Sequence, residues 1–129
     1  MATKRILVLA DDPADGETLA LELSQEGYGA PRADILDLPH LRMTPTPDLI
    51  AVCFSSRLER ALELAQALKE MKGVAILVVS ALGLSQLEGP LRVLPIVSAV
   101  LFKPYSLASL LETLEGVLAA SASGTTYLA

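Results

Sequence analysis

The stretch RILVLADDP, residues 5–13, is the clearest indication of the fold of this chain. Residues 6–10 form an unbroken apolar run, which is typical of a strand buried on both faces of a parallel sheet. Two acids follow the run, and Asp12 stands directly before Pro13 in a position to cap a helix. A proline in the first helical turn loses nothing, because its missing N–H would have no partner there. The stretch predicts a buried strand, an acidic turn and a helix.

Similar apolar runs return along the chain. They lie at residues 49–54, 74–79 and 96–102, and a short edge strand is predicted over residues 28–32. Pro31 suits an edge, since it has no N–H to donate to a neighbouring strand. Helical patterns separate the runs. This alternation predicts an α/β fold with about five strands in a parallel sheet and helices on both faces.

Local signals place the ends of the predicted helices. The first helix is expected to end at Gly27, and a weaker pattern favours a short helix within residues 34–43. The capping boxes SRLE (56–59) and SQLE (85–88) predict two further helix starts. The first of these helices should run to about residue 71, whereas Gly89 and Pro90 should cut the second short. Ser106 is expected to cap the last helix.

Composition limits the possible functions. The chain has 129 residues, which suits one domain, and 52% hydrophobic against 19% charged residues excludes a disordered chain. A net charge of −5 disfavours nucleic-acid binding and a basic membrane surface. The first apolar run is too short for a signal peptide or a membrane span, and Cys53 is the one cysteine. We therefore expect a cytoplasmic protein without an internal disulfide.

Polar residues follow the apolar runs. In parallel α/β sheets the ligand crevice lies outside the carboxyl ends of the strands. Those ends should carry Asp11 and Asp12 after the first run, Cys53 with Ser55 after the second long run, Ser80 after the third and Lys103 after the last. These are the candidate functional residues.

The chain resembles the receiver domain of bacterial two-component response regulators over about residues 4–119. The likeness rests on four motifs in order: RILVLADDP (5–13), PDLIAVC (47–53), VVSA (78–81) and FKPY (102–105). It implies a flavodoxin-like fold with strand order 2-1-3-4-5. It also implies roles by position: Asp11 and Asp12 for an acidic pocket, Ser80 for a switch hydroxyl and Lys103 for the pocket lysine.

Departures from the family pattern indicate a degenerate receiver. The position of the phosphoaccepting aspartate holds Cys53, the first of the paired acids is replaced by Ala10, and Val100 stands at the position of the switch aromatic. A thiol is neither a phosphoryl-accepting carboxylate nor a hard oxygen ligand for magnesium. We therefore expect a pseudo-receiver that has no catalytic residue and is not an enzyme.

The expected function is a phosphorylation-independent module for protein–protein interaction in signalling, with a protein partner or a second copy of the chain. One alternative is phosphorylation at another acid, for which Asp48 lies at the wrong end of its strand and Asp11 is better placed. Another is redox sensing through Cys53, which needs a thiolate stabilised by Lys103. The acids after the first run also argue against a flavin phosphate site there.

Several residues have a plainer interpretation. We expect Cys53 to be a small buried hydrophobe, and Asp11 and Asp12 to serve as helix cap and partners of Lys103. No cofactor is expected, with weak Mg²⁺ binding at Asp11 as the alternative. His40 is interpreted as a solvated loop residue. We expect a receiver-like domain over residues 1–119 and a flexible tail or linker over residues 120–129.

Overall fold

The computed structural model describes residues 4–34, 47–69, 74–94 and 97–123. The short helix predicted within residues 34–43, His40 and the end of the tail lie outside these residues. Five strands are formed, β1 (Ile6–Ala10), β2 (Arg32–Asp34), β3 (Leu49–Phe54), β4 (Ala75–Ser80) and β5 (Ala99–Phe102). Four helices lie among the described residues, α1 (Pro13–Gln25), α2 (Leu58–Leu68), α3 (Leu84–Val93) and α4 (Leu107–Ser123).

The strands form one parallel sheet in the order β2-β1-β3-β4-β5, which confirms the predicted fold class and strand order. The residues of β1 and β3 are buried throughout, as their continuous apolar runs predicted. Alternate side chains point to opposite faces of the sheet. Leu7 and Leu9 join a core with α2 and α3, whereas Ile6 and Val8 join a second core with α1 and α4. The sheet is therefore covered on both faces.

The first and last helices begin as predicted. The Asp12 carboxylate accepts a hydrogen bond from the Ala14 N–H, and Pro13 opens α1. After α1, Gly27 adopts a φ of 93°, a left-handed conformation that glycine takes without strain. The Ser106 hydroxyl accepts a hydrogen bond from the Ser109 N–H and caps α4. That helix continues to Ser123.

Both predicted capping boxes are wrong. Arg57, not Ser56, is the residue before α2, and its side chain makes no capping hydrogen bond. Gly83 takes the same position before α3, which starts ahead of Ser85. The strand register explains the first difference: β3 runs to Phe54, and Ser55 turns back toward β1 to bond Asp11. Tertiary partners thus replace the local capping bonds.

Two further boundaries differ from the prediction. The edge strand occupies Arg32–Asp34, preceded by an isolated bridge between Arg5 and Gly29, instead of residues 28–32. Helix α3 continues through Pro90 to Val93. Proline removes one helical hydrogen bond, but Pro90 and Leu87 are both buried, and their burial favours continuation of the helix.

Among the described helices, none is both long and apolar enough to cross a bilayer.

Candidate functional site

The carboxyl edge of the sheet gathers the residues that the sequence singled out. β1 ends before Asp11, β3 contains Cys53, β4 ends at Ser80, and β5 ends before Lys103. Backbone hydrogen bonds tie the ends together: Asp11 N–H donates to the Cys53 carbonyl, and Lys103 N–H donates to the Ser80 carbonyl. The edge is therefore one continuous surface formed by neighbouring strands.

Ala10 and Cys53 are direct partners in the register of β1 and β3. Both are buried in the core under α1 and α4, with side chains 5% and 1% exposed respectively. Gly16 of α1 lies against Ala10, and a Cβ added to that glycine would stand 2.9 Å from the Ala10 Cβ. Two of the three positions at which the sequence departs from the receiver pattern, Ala10 and Cys53, are thus adjacent, small and closely packed.

Asp11 is buried and fully engaged by its neighbours. Its Oδ1 accepts a hydrogen bond of 2.8 Å from the Ser55 N–H, and its Oδ2 accepts one of 3.2 Å from the Ser55 hydroxyl. The Arg60 Nε donates to the Asp11 backbone carbonyl at 2.9 Å. Burial raises the pKa of Asp11, while the bonds from Ser55 and the charge of Arg60 oppose that rise.

The sequence predicted that Ser55 lies at this edge but gave it no function. It did not identify Arg60 as part of the site. Its position in the sequence could have indicated it, because the first turn of a helix that follows a parallel strand lies at the carboxyl edge of the sheet. Arg60 stands in the first turn of α2 and reaches back to β1 from there.

Lys103 pairs with Asp15, so the prediction that Asp11 and Asp12 would be its partners is wrong. The distance from Lys103 Nζ to Asp15 Oδ2 is 3.3 Å, and both side chains are about one-quarter to one-third exposed, at 25% and 33%. Burial alone would lower the pKa of Lys103, but attraction to the Cys53 sulfur and to Asp15 raises it. Asp15 lies in the first turn of α1, whereas Asp11 is turned toward Ser55.

A cleft of about 450 Å³ opens between α1 and the loop after β5. Its lining consists of Asp15, Thr18, Glu22, Cys53, Ala81, Lys103, Pro104 and Tyr105. The peptide bond between Lys103 and Pro104 is cis. The Tyr105 hydroxyl donates a hydrogen bond of 3.1 Å to Glu22 Oε1. Two side chains of the loop, Lys103 and Tyr105, therefore anchor it to α1. Asp15 and Glu22 were not predicted as their partners.

The Cys53 thiol borders the cleft but is buried. Burial raises its pKa to about 11, and the nearby positive charge of Lys103 opposes that rise only in part. The thiolate is the reactive form of cysteine. The environment of Cys53 is consequently that of an unreactive, protonated thiol.

Ser80 and Val100 lie where the sequence predicted them along their strands. The Ser80 hydroxyl accepts a hydrogen bond from the Leu82 N–H at 2.9 Å and donates to the Leu82 carbonyl at 3.2 Å. It is completely buried and belongs to the turn after β4. Val100 pairs with Val78 in the register and packs against the core under α2 and α3. The Ser80 hydroxyl is thus already satisfied within its own turn.

The oxygen atoms at this edge do not fit a divalent metal. Magnesium needs near-octahedral oxygen coordination, usually including one or two carboxylates. Both oxygens of Asp11 accept bonds from Ser55, Asp12 caps α1, and the buried position next to Ala10 offers the sulfur of Cys53. Within the described ranges no cluster of three or more acids, histidines or cysteines could hold a metal ion.

No protein-family model matches the sequence, and no curated protein matches it. Solved structures match the fold closely. The receiver domain of a sensor histidine kinase from Pseudomonas aeruginosa, described with a magnesium ion coordinated in its active site cleft, has a TM-score of 0.71. It is 20% identical, and the match covers 92% of this chain and 99% of that one.

Two further structures agree with this result. A response regulator receiver domain from Bermanella marisrubri gives a TM-score of 0.65 at 24% identity, covering 88% of this chain and 97% of that one. One from Methanospirillum hungatei gives 0.66 at 19% identity, covering 95% and 99%. The chain has the receiver fold.

Proposed function

We propose that this chain is a degenerate receiver domain that acts in signal transduction through protein–protein contact, without an aspartyl phosphate. The observation that carries the proposal is the Ala10–Cys53 pair, which puts a methyl group and a protonated thiol side by side at the carboxyl edge. No carboxylate stands at either position to accept a phosphoryl group. The receiver fold supplies the signalling context of the proposal.

The other acids are poor substitutes for an acceptor. Asp48 lies at the amino end of β3, where its carboxylate accepts a hydrogen bond of 2.7 Å from the Arg5 N–H. It is therefore at the edge opposite the cleft. Asp11 is at the correct edge, but both of its oxygens are engaged by Ser55. Transfer to Asp11 would break those bonds and leave the buried Ser55 N–H without an acceptor.

Intact-mass spectrometry after incubation with acetyl phosphate and Mg²⁺ tests this proposal. We expect no phosphoryl adduct on the wild-type chain. Saturable, Mg²⁺-dependent addition of one phosphoryl group would contradict it. Asp11→Asn and Asp48→Asn variants would then identify the acceptor, because loss of the adduct in one of them alone assigns the site.

The interaction surface that we propose follows from the apolar side chains left exposed at the carboxyl edge. Leu84 opens α3 and is 73% exposed, Phe102 ends β5 at 41%, and Leu107 opens α4 at 42%. All three lie at or after the carboxyl ends of the neighbouring strands β4 and β5. Exposed apolar groups that share one region favour contact with a protein partner.

Self-association is the first form of contact to test, because a second copy is a partner already present. Sedimentation velocity over a range of protein concentrations would measure the dimer fraction of the wild type and of Leu84→Ser. We expect the substitution to lower that fraction. Leu21→Ser is the matched control, because Leu21 is 59% exposed but lies on α1. Equal behaviour of the two variants would contradict an interface at α3.

A further inference from the structure

The pocket around Asp11 supplies its own groups where a divalent cation would have to bind. We infer that Ser55 and Arg60 act as an internal substitute for a metal ion, holding the Asp11 carboxylate and the start of α1 in one arrangement without magnesium. Ser55 provides two hydrogen bonds to the carboxylate oxygens, and Arg60 provides a positive charge together with a hydrogen bond to the Asp11 carbonyl.

Burial explains why Asp11 needs such partners. Its side chain is 1% exposed, and a buried carboxylate is costly unless it is hydrogen-bonded and neutralised. Ser55 directs both its N–H and its hydroxyl at the two oxygens, and the Arg60 guanidinium lies near enough to favour the ionised carboxylate. Within the described residues every buried side-chain polar atom has a hydrogen-bond partner. The carboxylate is therefore satisfied by the protein itself.

The charges around this pocket also oppose the binding of a divalent cation beside the Arg60 guanidinium. A space of about 170 Å³ is lined by two acids and two arginines, namely Asp11, Asp12, Arg57 and Arg60, together with Pro13 and Ser55. Asp12 is further committed to the Ala14 N–H at the start of α1. A divalent ion entering this space would meet as many positive as negative side chains, and it would have to displace Ser55 from Asp11.

This inference goes beyond the proposed function, because a domain without a phosphoacceptor could still bind magnesium. The two ideas fail separately. A phosphoryl adduct would contradict the proposed function, whereas saturable magnesium binding at Asp11 would contradict the internal substitute. Neither result determines the other.

Amide-resolved NMR with Mg²⁺ as the probe tests the inference. For the wild type we expect no saturable shift of the Asp11, Asp12 and Ser55 signals at millimolar Mg²⁺. Arg60→Gln removes the internal charge, and we expect its affinity for Mg²⁺ to be about tenfold higher. Arg57→Gln is the matched control: it makes the same change of net charge beside the same pocket, but no hydrogen bond of Arg57's side chain to Asp11 is found.

Thermal unfolding gives a second readout, because a ligand that binds only the folded state raises the melting temperature. We expect Mg²⁺ to raise the melting temperature of Arg60→Gln but not of the wild type or Arg57→Gln. Arg60→Lys keeps the positive charge and should remain insensitive to Mg²⁺. Saturable binding at Asp11 in the wild type would overturn the inference. Equal Mg²⁺ responses in Arg60→Gln and Arg57→Gln, or binding by Arg60→Lys as strong as by Arg60→Gln, would overturn it too.

Discussion

Lys103 Nζ lies 3.3 Å from Asp15 Oδ2, so the lysine after β5 is paired with the first turn of α1 and not with the acids that follow β1. The pair closes one side of the cleft that Cys53 borders, and Tyr105 makes a second link from the same loop to Glu22 of α1. The loop is thus held by the helix through two side chains. Asp11 therefore does not pair with Lys103 and instead accepts hydrogen bonds from Ser55 and Arg60.

Asp15→Asn should weaken the anchorage of the loop after β5. We expect the free energy of unfolding to fall by about 0.5–1 kcal/mol, since the pair is partly exposed and solvent screens it. Urea unfolding at neutral pH measures the change. Glu17→Gln makes the same charge change at an exposed position on the same helix, and it should be nearly neutral. Equal losses for the two variants would argue against a specific role of the pair.

Gly16→Ala should lower the free energy of unfolding by more than Gly89→Ala does. A Cβ at Gly16 would lie 2.9 Å from the Ala10 Cβ, and relief of that contact requires movement of α1 or β1. We expect a loss of about 1–3 kcal/mol. A Cβ at Gly89 would meet Leu62 Cδ2 at an ordinary 3.6 Å. The higher helix propensity of alanine should there be offset by contact of the new Cβ with the ring of Pro90, so we expect a change within about 1 kcal/mol. Thermal and urea unfolding of both variants compare these effects.

Ser55→Ala should lower the free energy of unfolding, whereas Ser56→Ala should leave it nearly unchanged. Ser55 is buried, and its hydroxyl donates to Asp11 and accepts from the Arg57 N–H. Its loss should cost about 1–3 kcal/mol, because a buried acceptor loses its donor. Ser56 is exposed and does not cap α2, so its replacement should stay within about 0.5 kcal/mol. A larger loss of unfolding free energy for Ser56→Ala, measured in urea, would support the predicted capping box.

The wild-type chain should lose stability relative to Cys53→Ala as the pH rises above 9. The pKa of the Cys53 thiol is 9.0 when unperturbed and is raised by burial to about 11 in the folded protein. Between these values the unfolded chain releases the thiol proton first, so the free energy of unfolding falls with rising pH. Urea unfolding of both proteins across this pH range measures the difference between their free energies of unfolding. The tyrosines titrate in both proteins, so their contribution cancels in that difference. A difference independent of pH would contradict the raised pKa.

Thiol labelling gives an independent check of the same environment. We expect iodoacetamide to alkylate Cys53 slowly at neutral pH and faster in the unfolded chain, because the folded thiol is protonated and buried. Rapid alkylation of the folded protein at neutral pH would instead favour the redox-sensing alternative.

Short-range patterns in the sequence were sufficient to predict the architecture. The continuous apolar runs of β1, β3 and β4 predicted buried parallel strands, since only a sheet covered on both faces buries every residue of a strand. Asp12 with Pro13, and Ser106 with Ser109, are neighbours along the chain, and these caps form as predicted. The position of Cys53 at the carboxyl edge followed from the same patterns.

The tertiary structure alone decided which polar groups meet at that edge. Ser55 is 44 residues from Asp11, and Tyr105 is 83 residues from Glu22, so no local pattern predicts either bond. The helix starts that sequence placed at Ser56 and Ser85 were displaced for the same reason, because packing against the sheet outweighs a capping bond of about 1 kcal/mol. Sequence patterns were therefore enough to predict the buried strands β1, β3 and β4, and the resemblance to receiver domains implied the strand order that the sheet adopts. The folded chain determined the partners of Asp11 and Lys103, because burial obliges each charge to find the nearest group able to satisfy it.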